Sequence, residues 1–257
     1  SNIMEDLSGA MDIEYSRDIN ISGNVLSTMD RGIYLRNTES NYLGYNAIIN
    51  TLKYNALYLS HSNHSLLKGN SIEDCTERGV YVLSCLNIML DSNTIMETNG
   101  GVWLFYSNDC ILHNNTIAGN NGNGLYLYNS HQTLIDTNEI VNNRENAILM
   151  QYSSHNNITG NSATGNKEYG LYVYSSNWNT ITYNDFTSNE LGCYLEVLSK
   201  GNVFDSNECD ESEINVPPDE PEPELEWVLI ILSSLLIGGL FGIAYYNLLK
   251  FGKKSVE

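Results

Sequence analysis

Two stretches of the sequence, GLYLYNSHQTLIDTNEI at 124–140 and GLYVYSSNWNTITYNDF at 170–186, follow one pattern. Each begins with a small residue followed by apolar-x-apolar. Near its end, each has an Asn that follows one apolar residue by three positions and precedes another by two, as Asn138 does with Ile135 and Ile140. This Asn recurs every 22 to 24 residues, as Asn24, Asn46, Asn70, Asn93, Asn115, Asn138, Asn161, Asn184 and Asn207. A fixed period over most of a chain indicates a repeat architecture.

Alternation of apolar and polar residues within each unit predicts β-strands, because successive side chains of a strand point to opposite faces. Three short apolar pieces fill each repeat and leave no room for a helix. The apolar positions that a leucine-rich repeat requires hold Ser153 and Asn156 in one unit, and no six-residue period of a left-handed β-helix is present. The sequence therefore predicts an all-β, right-handed parallel β-helix with three strands per coil and about nine coils over residues 1–209.

Three columns of inward-facing residues are expected to form the core. They run from Met11 to Cys193, from Ile21 to Phe204 and from Met4 to Cys209, with one residue from each coil. Each buried apolar side chain contributes about 1.5–3 kcal/mol before entropy is subtracted. One coil cannot bury its apolar face alone, whereas stacked coils can.

The recurring Asn predicts a structural ladder. We expect it at a sharp turn, where Asn tolerates the left-handed conformation, with its amide bonded to the copies above and below. A second, shorter column, Asn120, Asn143, Asn166 and Asn189, suggests the same arrangement at another corner.

Charge divides the chain into regions. The formal net charge is −19; residues 1–209 hold 22 acidic and 9 basic residues, and residues 210–226 hold 8 acidic and none basic. Such a surface repels nucleic acid. The acidic, Pro-rich stretch 210–226 predicts an extended spacer.

The apolar stretch 227–249 predicts one C-terminal transmembrane helix, and 250–257 a basic cytoplasmic tail. The β-helix is then extracellular and anchored in the cell membrane. The chain shows no signal peptide and begins in phase with the repeat, so we expect the domain to be truncated at its N-terminus.

Outward positions of one predicted strand form an aromatic stripe. Flat rings in a row can stack on sugars or contact a protein, or they can simply pack on one another along the sheet. All three interpretations stay open. The candidate ligand-binding residues are Tyr34, Tyr58, Tyr81, Trp103, Phe105, Tyr126, Tyr128, Tyr172, Tyr174 and Tyr194.

No catalytic residues are predicted, because no two carboxylates fall at glycosidase spacing and the charged outward residues lie several coils apart. No cofactor and no metal site are predicted either; His131 and His155 are expected in equivalent turns of neighbouring coils but lack a third ligand.

We expect Cys193 and Cys209 to be small core residues. Cys75, Cys85 and Cys110 lie at turns, where two of them can pair. Four Asn-x-Ser/Thr sequons, at Asn20, Asn63, Asn114 and Asn157, leave glycosylation open.

The quoted units resemble the repeats of the right-handed parallel β-helix (pectin-lyase-like) superfamily. They are most similar to NosD-like and carbohydrate-binding/sugar-hydrolase repeats, which are common in archaeal surface proteins. The resemblance implies a fold and not an activity.

We therefore expect a non-catalytic, membrane-anchored surface protein that binds polysaccharide or a cell-envelope partner through the stripe, or acts as a scaffold. The alternatives are the C-terminal part of a polysaccharide lyase or hydrolase whose active site lies upstream, and a NosD-like copper-delivery accessory protein.

Overall fold

The computed structural model describes residues 2–5, 9 and 11–210. Within these ranges every regular element is a β-strand. The strands, in chain order, are β1 Ile3–Glu5, β2 Met11–Glu14, β3 Asn20–Ser22, β4 Val25–Met29, β5 Ile33–Arg36, β6 Tyr42–Gly44, β7 Ala47–Thr51, β8 Leu57–Ser60, β9 Leu66–Lys68, β10 Ser71–Glu73, β11 Arg78–Leu83, β12 Met89–Asp91, β13 Thr94–Met96, β14 Gly100–Phe105, β15 Ile111–His113, β16 Thr116–Ala118, β17 Leu125–Tyr128, β18 Leu134–Asp136, β19 Glu139–Val141, β20 Ile148–Gln151, β21 Asn157–Thr159, β22 Tyr169–Tyr174, β23 Thr180–Thr182, β24 Gly192–Val197 and β25 Val203–Asp205.

These strands form three parallel sheets, and each strand pairs with the strand one coil away. The aromatic sheet has nine strands in the order β2-β5-β8-β11-β14-β17-β20-β22-β24. The second sheet has nine, from β3 to β25, and the third has seven, from β1 to β19. We number the coils one to nine by their strand in the aromatic sheet. The right-handed parallel β-helix predicted from the sequence is confirmed.

The core consists of the three predicted inward columns. In the middle of the domain their members are inaccessible to solvent; Leu57, Leu90 and Ile117, one from each column, are each 0% exposed. At the first coil Met4, Met11 and Ile13 are only partly buried. Regular stacking thus excludes water from a continuous apolar centre.

The strands are separated by tight corners whose geometry differs from the prediction. The ladder Asn does not itself adopt the left-handed conformation. The residue before it does, with φ between 53° and 64° from Gly23 to Ser206. The prediction that Asn makes the turn is therefore wrong. A preceding residue such as Thr137 takes the positive φ, and Asn138 directs its amide inward to bond with neighbouring coils.

Amide bonds run along the axis through the whole Asn column. From Asn24 to Asn184 each side-chain Nδ2 donates to Oδ1 of the Asn one coil on, at 2.9–3.1 Å. The same Oδ1 accepts a backbone N–H of the previous coil, as Asn138 Oδ1 does from Asn115. Shorter columns join Asn120 to Asn189 and, at a corner that sequence reasoning missed, Asn156 to Asn202.

The ninth coil departs from the repeat. Its strand β24 is displaced by one residue from the sequence alignment, so that Tyr194 lies beside the inward Leu171 and not beside Tyr172. Tyr194 stacks on Phe204 with ring centroids 4.4 Å apart, and Cys193 forms a disulfide with Cys209. Two predictions are therefore wrong: Tyr194 is not in the outward stripe, and the two cysteines are not simply small core residues. Together these contacts cover the last coil of the core.

The other three cysteines, Cys75, Cys85 and Cys110, are free and buried at corners. Most of the other members of their columns are Ser, Thr or Asn; an exception is Ile88, one coil before Cys110. Burial raises the pKa of Cys85 to about 11 and that of Cys110 to about 12, so both remain thiols near neutral pH.

Within the part of the chain that the structure covers, no helix has the length and apolar character needed to cross a bilayer. The predicted transmembrane helix 227–249, the tail 250–257 and all of the spacer except Asp210 lie outside the described residues.

Candidate functional site

The predicted stripe lies on the outer face of the aromatic sheet. Tyr58, Tyr81, Trp103 and Tyr126 occupy paired positions on neighbouring strands β8, β11, β14 and β17. Leu149 interrupts the column in β20, and Tyr172 resumes it in β22. A second outward column holds Phe105, Tyr128, Gln151 and Tyr174. These outward side chains are half-buried, apart from Leu149, which is buried.

The rings contact one another from coil to coil in a herringbone arrangement. Trp103 and Phe105 are stacked at 5.4 Å, and Phe105 stacks on Tyr128 at 5.1 Å. Tyr126 meets both Trp103 and Phe105 edge-on at 5.1 Å. Such pairs contribute about 0.5–1.5 kcal/mol each beyond the area they bury. Part of the aromatic surface therefore stabilises the sheet.

Two predicted members do not belong to the accessible surface. Tyr34 is only 7% exposed, and Arg31 and Arg36 lie over its ring at 5.6 and 5.9 Å. Tyr194 faces inward, for the reason given above. The remaining rings run from the third to the eighth coil, over about 24 Å at the spacing of about 4.8 Å between strands.

Sequence reasoning missed two rings, Tyr106 and Tyr152. They occupy the corner directly after the strands, with φ of 50° and 53°, and are 49% and 45% exposed. Tyr106 meets Tyr128 at 5.6 Å, and Tyr152 meets Tyr128 and Tyr174 at 5.6 and 5.8 Å, which bridges the gap at Leu149. Strand alternation marks neither ring, but both occupy the same corner position of the repeat, which is the sequence signal that identifies them. We call the whole set the aromatic patch: Tyr58, Tyr81, Trp103, Phe105, Tyr106, Tyr126, Tyr128, Tyr152, Tyr172 and Tyr174.

Arg78, which the sequence analysis did not single out, touches the centre of the patch. Its guanidinium carbon lies 4.2 Å from the Trp103 ring centre and 5.9 Å from that of Tyr81. The same guanidinium is 2.6 Å from a Glu77 carboxylate oxygen. One face of the indole is therefore covered by a neutralised cation and the other by Phe105.

The ten members of the patch are uncharged side chains, although residues 1–209 carry a net charge of −13. Arg78, at the start of β11 and paired with Glu77, places a charged group over the centre of the patch. Burial raises the pKa of Tyr126 to about 12, and it also raises the pKa of Tyr81 and Tyr172. The Tyr126 hydroxyl donates to Gln151 Oε1 at 2.6 Å. The patch thus offers apolar ring edges and neutral hydroxyl groups.

The second sheet presents a different, charged outer face. Lys68 pairs with Asp91 at 2.6 Å, and His113 with Asp136 at 2.9 Å. The Lys68 ammonium, which donates a hydrogen bond to Asp91, holds the pKa of that carboxyl below its usual value. Lys68 and Asp91 therefore neutralise each other within the sheet.

The two histidines singled out from the sequence lie in equivalent turns of neighbouring coils, as expected, but at different positions within the turn. His131 aligns with Ser154, whose backbone N–H donates to His131 Nδ1 at 3.0 Å. His155 stands one position later, in line with Gln132, because the repeat places its left-handed corner residue there. The two imidazoles are therefore offset by one residue along the turn. No three His, Cys, Asp or Glu side chains among residues 2–5, 9 and 11–210 come together as a metal site.

One carboxylate pair was not found from the sequence. Glu145 and Glu168 lie in neighbouring coils beside the aromatic sheet, and burial, followed by the charge of Glu168, raises the pKa of Glu145. Asn123 donates to Glu145, and Asn146 to Glu168 at 2.6 Å. These amides hold both carboxylates at the turn before the strands.

Solved structures with the same fold include alginate epimerases. The periplasmic alginate epimerase AlgG (D317A mutant) is 18% identical with a TM-score of 0.66, over 74% of this chain and 50% of that chain. The A-module of mannuronan C-5 epimerase AlgE4 from Azotobacter vinelandii is 12% identical with a TM-score of 0.64, over 79% and 68%. At such identities the likeness shows the fold alone. This chain spans about half the length of the AlgG structures. Among curated proteins, no significant match is found.

A family model described as periplasmic copper-binding protein (NosD) matches residues 1–103 and 76–230. Copper is held by clustered soft sulfur or imidazole ligands. The described residues do not fit that requirement, because Cys85 and Cys110 are buried thiols and His131 and His155 are out of register. Family membership rests instead on the repeat, which the model matches over most of the chain. The chain belongs to the NosD family of parallel β-helix proteins.

Proposed function

We propose that the protein is a non-catalytic surface module that binds a polysaccharide along the aromatic patch. The observation that carries this proposal is the patch itself, ten neutral aromatic side chains gathered on one face of an otherwise acidic domain. A contiguous exposed apolar surface marks an interaction site more often than a scattered one does.

The chemistry of the patch suits sugars. Pyranose rings present C–H groups on their faces and hydroxyl groups around their edges. The patch offers ring edges, tyrosine hydroxyls and the Gln151 amide, which lies within reach of Tyr126. A neutral polysaccharide carries no charge that the net charge of −13 would repel.

The proposed location is the outer surface of the cell membrane. The apolar stretch 227–249, followed by Lys250, Lys253 and Lys254, supports one span with the tail inside. The Cys193–Cys209 disulfide supports an oxidising compartment for the β-helix. Reaction of intact cells with an impermeant amine reagent tests this: Lys200 becomes labelled and Lys254 does not, whereas the reverse pattern contradicts the orientation.

A calorimetric titration tests polysaccharide binding. The full chain in detergent is titrated with neutral glucans, mannans, xylans and galactans, and with the acidic polymers alginate and polymannuronan, which the epimerase neighbours suggest. We expect saturable binding of a neutral polymer that Trp103→Ala weakens about tenfold or more, which corresponds to about 1.4 kcal/mol.

The matched control is Trp178→Ala. Trp178 is 56% exposed at a corner away from the patch, so this variant should bind as the unmodified protein does. Equal binding by Trp103→Ala and the unmodified chain would contradict the proposal, as would a flat response to every polymer.

The NosD family description makes a copper-delivery accessory role the second candidate. A titration with cuprous ion under a competing chelator tests it. Tight binding that Cys85→Ser or Cys110→Ser abolishes would favour that role over the polysaccharide module.

The third candidate is that the chain is part of a polysaccharide-active enzyme. It predicts that a bound polymer is shortened or unsaturated after incubation.

A further inference from the structure

A polar cavity opens at the corner between the aromatic and second sheets, in the first three coils. Its volume is about 560 Å³. Sites for small organic ligands typically measure about 300–1,000 Å³. Six of its lining residues carry the argument: Tyr15, Arg17, Asn37, Glu39, His61 and Asn63.

The lining consists mainly of planar polar side chains with no net charge. Arg17, Glu39 and Asn63 lie side by side on neighbouring coils, so one cation and one anion offset each other. Asn63 Oδ1 accepts the Leu86 N–H at 2.9 Å, and His61 Nδ1 contacts Ser60 Oγ at 2.9 Å. These bonds fix both side chains and leave the Asn63 amide nitrogen and His61 Nε2 for a ligand. Paired donors and acceptors of this kind match vicinal hydroxyl groups rather than an ion.

An aromatic side chain lies at the edge of the cavity. Tyr15 is 80% exposed, and its φ of 51° places it in the left-handed corner position of the first coil. A ring beside a cluster of hydroxyl-binding groups can contact the apolar face of a sugar.

The cavity is aligned with the aromatic patch. Asn37 and His61 occupy the same corner position in the second and third coils that Tyr106 and Tyr152 occupy in the fifth and seventh. Only Ser84 lies between His61 and Tyr106 in this column, and two coils span about 10 Å. A chain that lies along the patch therefore reaches the cavity after about two sugar rings.

We infer that the cavity binds the terminal sugar residue of a neutral polysaccharide whose following residues lie on the aromatic patch. This inference rests on the proposed function and adds that the protein recognises a chain end. The bound polymer then runs parallel to the axis of the β-helix, with its end at the first coils.

The test uses neutral linear glucan, mannan and xylan oligosaccharides of two to eight units, titrated against the full chain in detergent. Arg17→Gln removes the cation of the cavity, and its matched control is Arg144→Gln, at an exposed arginine in the turn before β20. We expect Arg17→Gln to weaken binding about tenfold, because it removes a charge-assisted hydrogen bond to the sugar. Arg144→Gln should leave binding unchanged.

Oligosaccharides coupled to a solid support through one end or the other give a second readout. Coupling through the recognised end should abolish the difference between Arg17→Gln and the unmodified chain. If Arg17→Gln binds normally while Trp103→Ala does not, the cavity is not a subsite although the proposed function stands. If no oligosaccharide or polymer binds the unmodified chain, both proposals fail.

Discussion

The Asn ladder and the aromatic patch are both columns with one residue per coil, but they differ in burial. From Asn24 to Asn184 the ladder is at most 5% exposed, and every amide bonds to the next coil. The rings of the patch are half-buried or exposed, and among their hydroxyls Tyr126 bonds to Gln151. The hydrogen-bonding groups of the Asn ladder are used within the fold. Most of the polar groups of the aromatic patch remain accessible to solvent or to a ligand.

This difference separates stability from binding on the same scaffold. A ladder substitution removes bonds that no solvent replaces, so its effect is on unfolding. A patch substitution removes contacts that are only partly internal, so its larger effect is on the ligand.

The largest effect is expected from Asn138→Ala. The substitution leaves the Leu112 carbonyl and the Asn115 N–H without their partners, and each unsatisfied buried group costs about 1–3 kcal/mol. We expect the free energy of unfolding to fall by about 3–5 kcal/mol, measured by urea denaturation. Asn121→Ala, at an exposed corner position, is the control and should have almost no effect. Equal midpoints for the two variants would contradict the ladder.

The disulfide of the last coil is expected to contribute slightly less. It joins cysteines 16 residues apart, and closing a loop of that length stabilises a protein by about 3 kcal/mol in the chain-entropy model. Reduction, or Cys209→Ser, should lower the urea midpoint and increase hydrogen exchange in β24 and β25. A reductant should have no further effect on Cys209→Ser; an additional loss would mean that another thiol matters.

A smaller effect is expected at the centre of the patch from Arg78→Gln. Its guanidinium lies over Trp103, and such contacts contribute about 0.5–1 kcal/mol at partly exposed sites. The unfolding free energy should fall by about that amount and the tryptophan emission should shift, because one indole face is uncovered. Glu77→Gln serves as the control, since it removes the ion pair and keeps the contact. A loss well above 1 kcal/mol would show that Arg78 is part of the core of the fold.

An effect that is absent at neutral pH and appears only in alkali is expected from tyrosine ionisation. Burial raises the pKa of Tyr34 and Tyr126 to about 12 from 10.0. The folded state therefore favours the neutral hydroxyl. This contribution to stability is complete below pH 10 and is lost as the pH rises from 10 to 12.

Spectrophotometric titration at 295 nm should show these two groups ionising after the exposed tyrosines. Tyr34→Phe should remove one late step and reduce the alkaline loss of stability. Titration of every tyrosine near pH 10 in the folded protein would contradict the burial of both rings.

The interior of the fold could be predicted from the sequence because burial forces repetition. The column that contains Ile48, Ile72 and Ile95 must hold an apolar residue in every coil. The spacing of these residues alone gives the parallel register of the strands. Departures arise where the repeat ends. The ninth coil is the last one within residues 11–210, and there β24 is displaced by one residue, Tyr194 turns inward and Cys193 is joined to Cys209.

The surface was predictable only in part. Alternation placed Tyr81, Trp103 and Tyr126 on one face, but it could not show that Arg31 and Arg36 cover Tyr34. Corner residues such as Tyr152 project beside the strand columns because of a positive φ, which no strand pattern expresses. The polar cavity is lined by residues from the same corner of three successive coils. These residues are more than 20 positions apart in the sequence from coil to coil, so no short motif marks the cavity.

The most direct test of polysaccharide binding at the aromatic patch is hydroxyl-radical footprinting of the full chain, with and without the neutral polymer that binds best. The account predicts protection of Phe105, Tyr106, Tyr128 and Tyr152. Tyr183 and Trp178, which are 68% and 56% exposed outside the patch, should react equally in both samples. Uniform reactivity across the patch, or protection centred on Tyr183 and Trp178, would contradict the claim that this face holds the ligand.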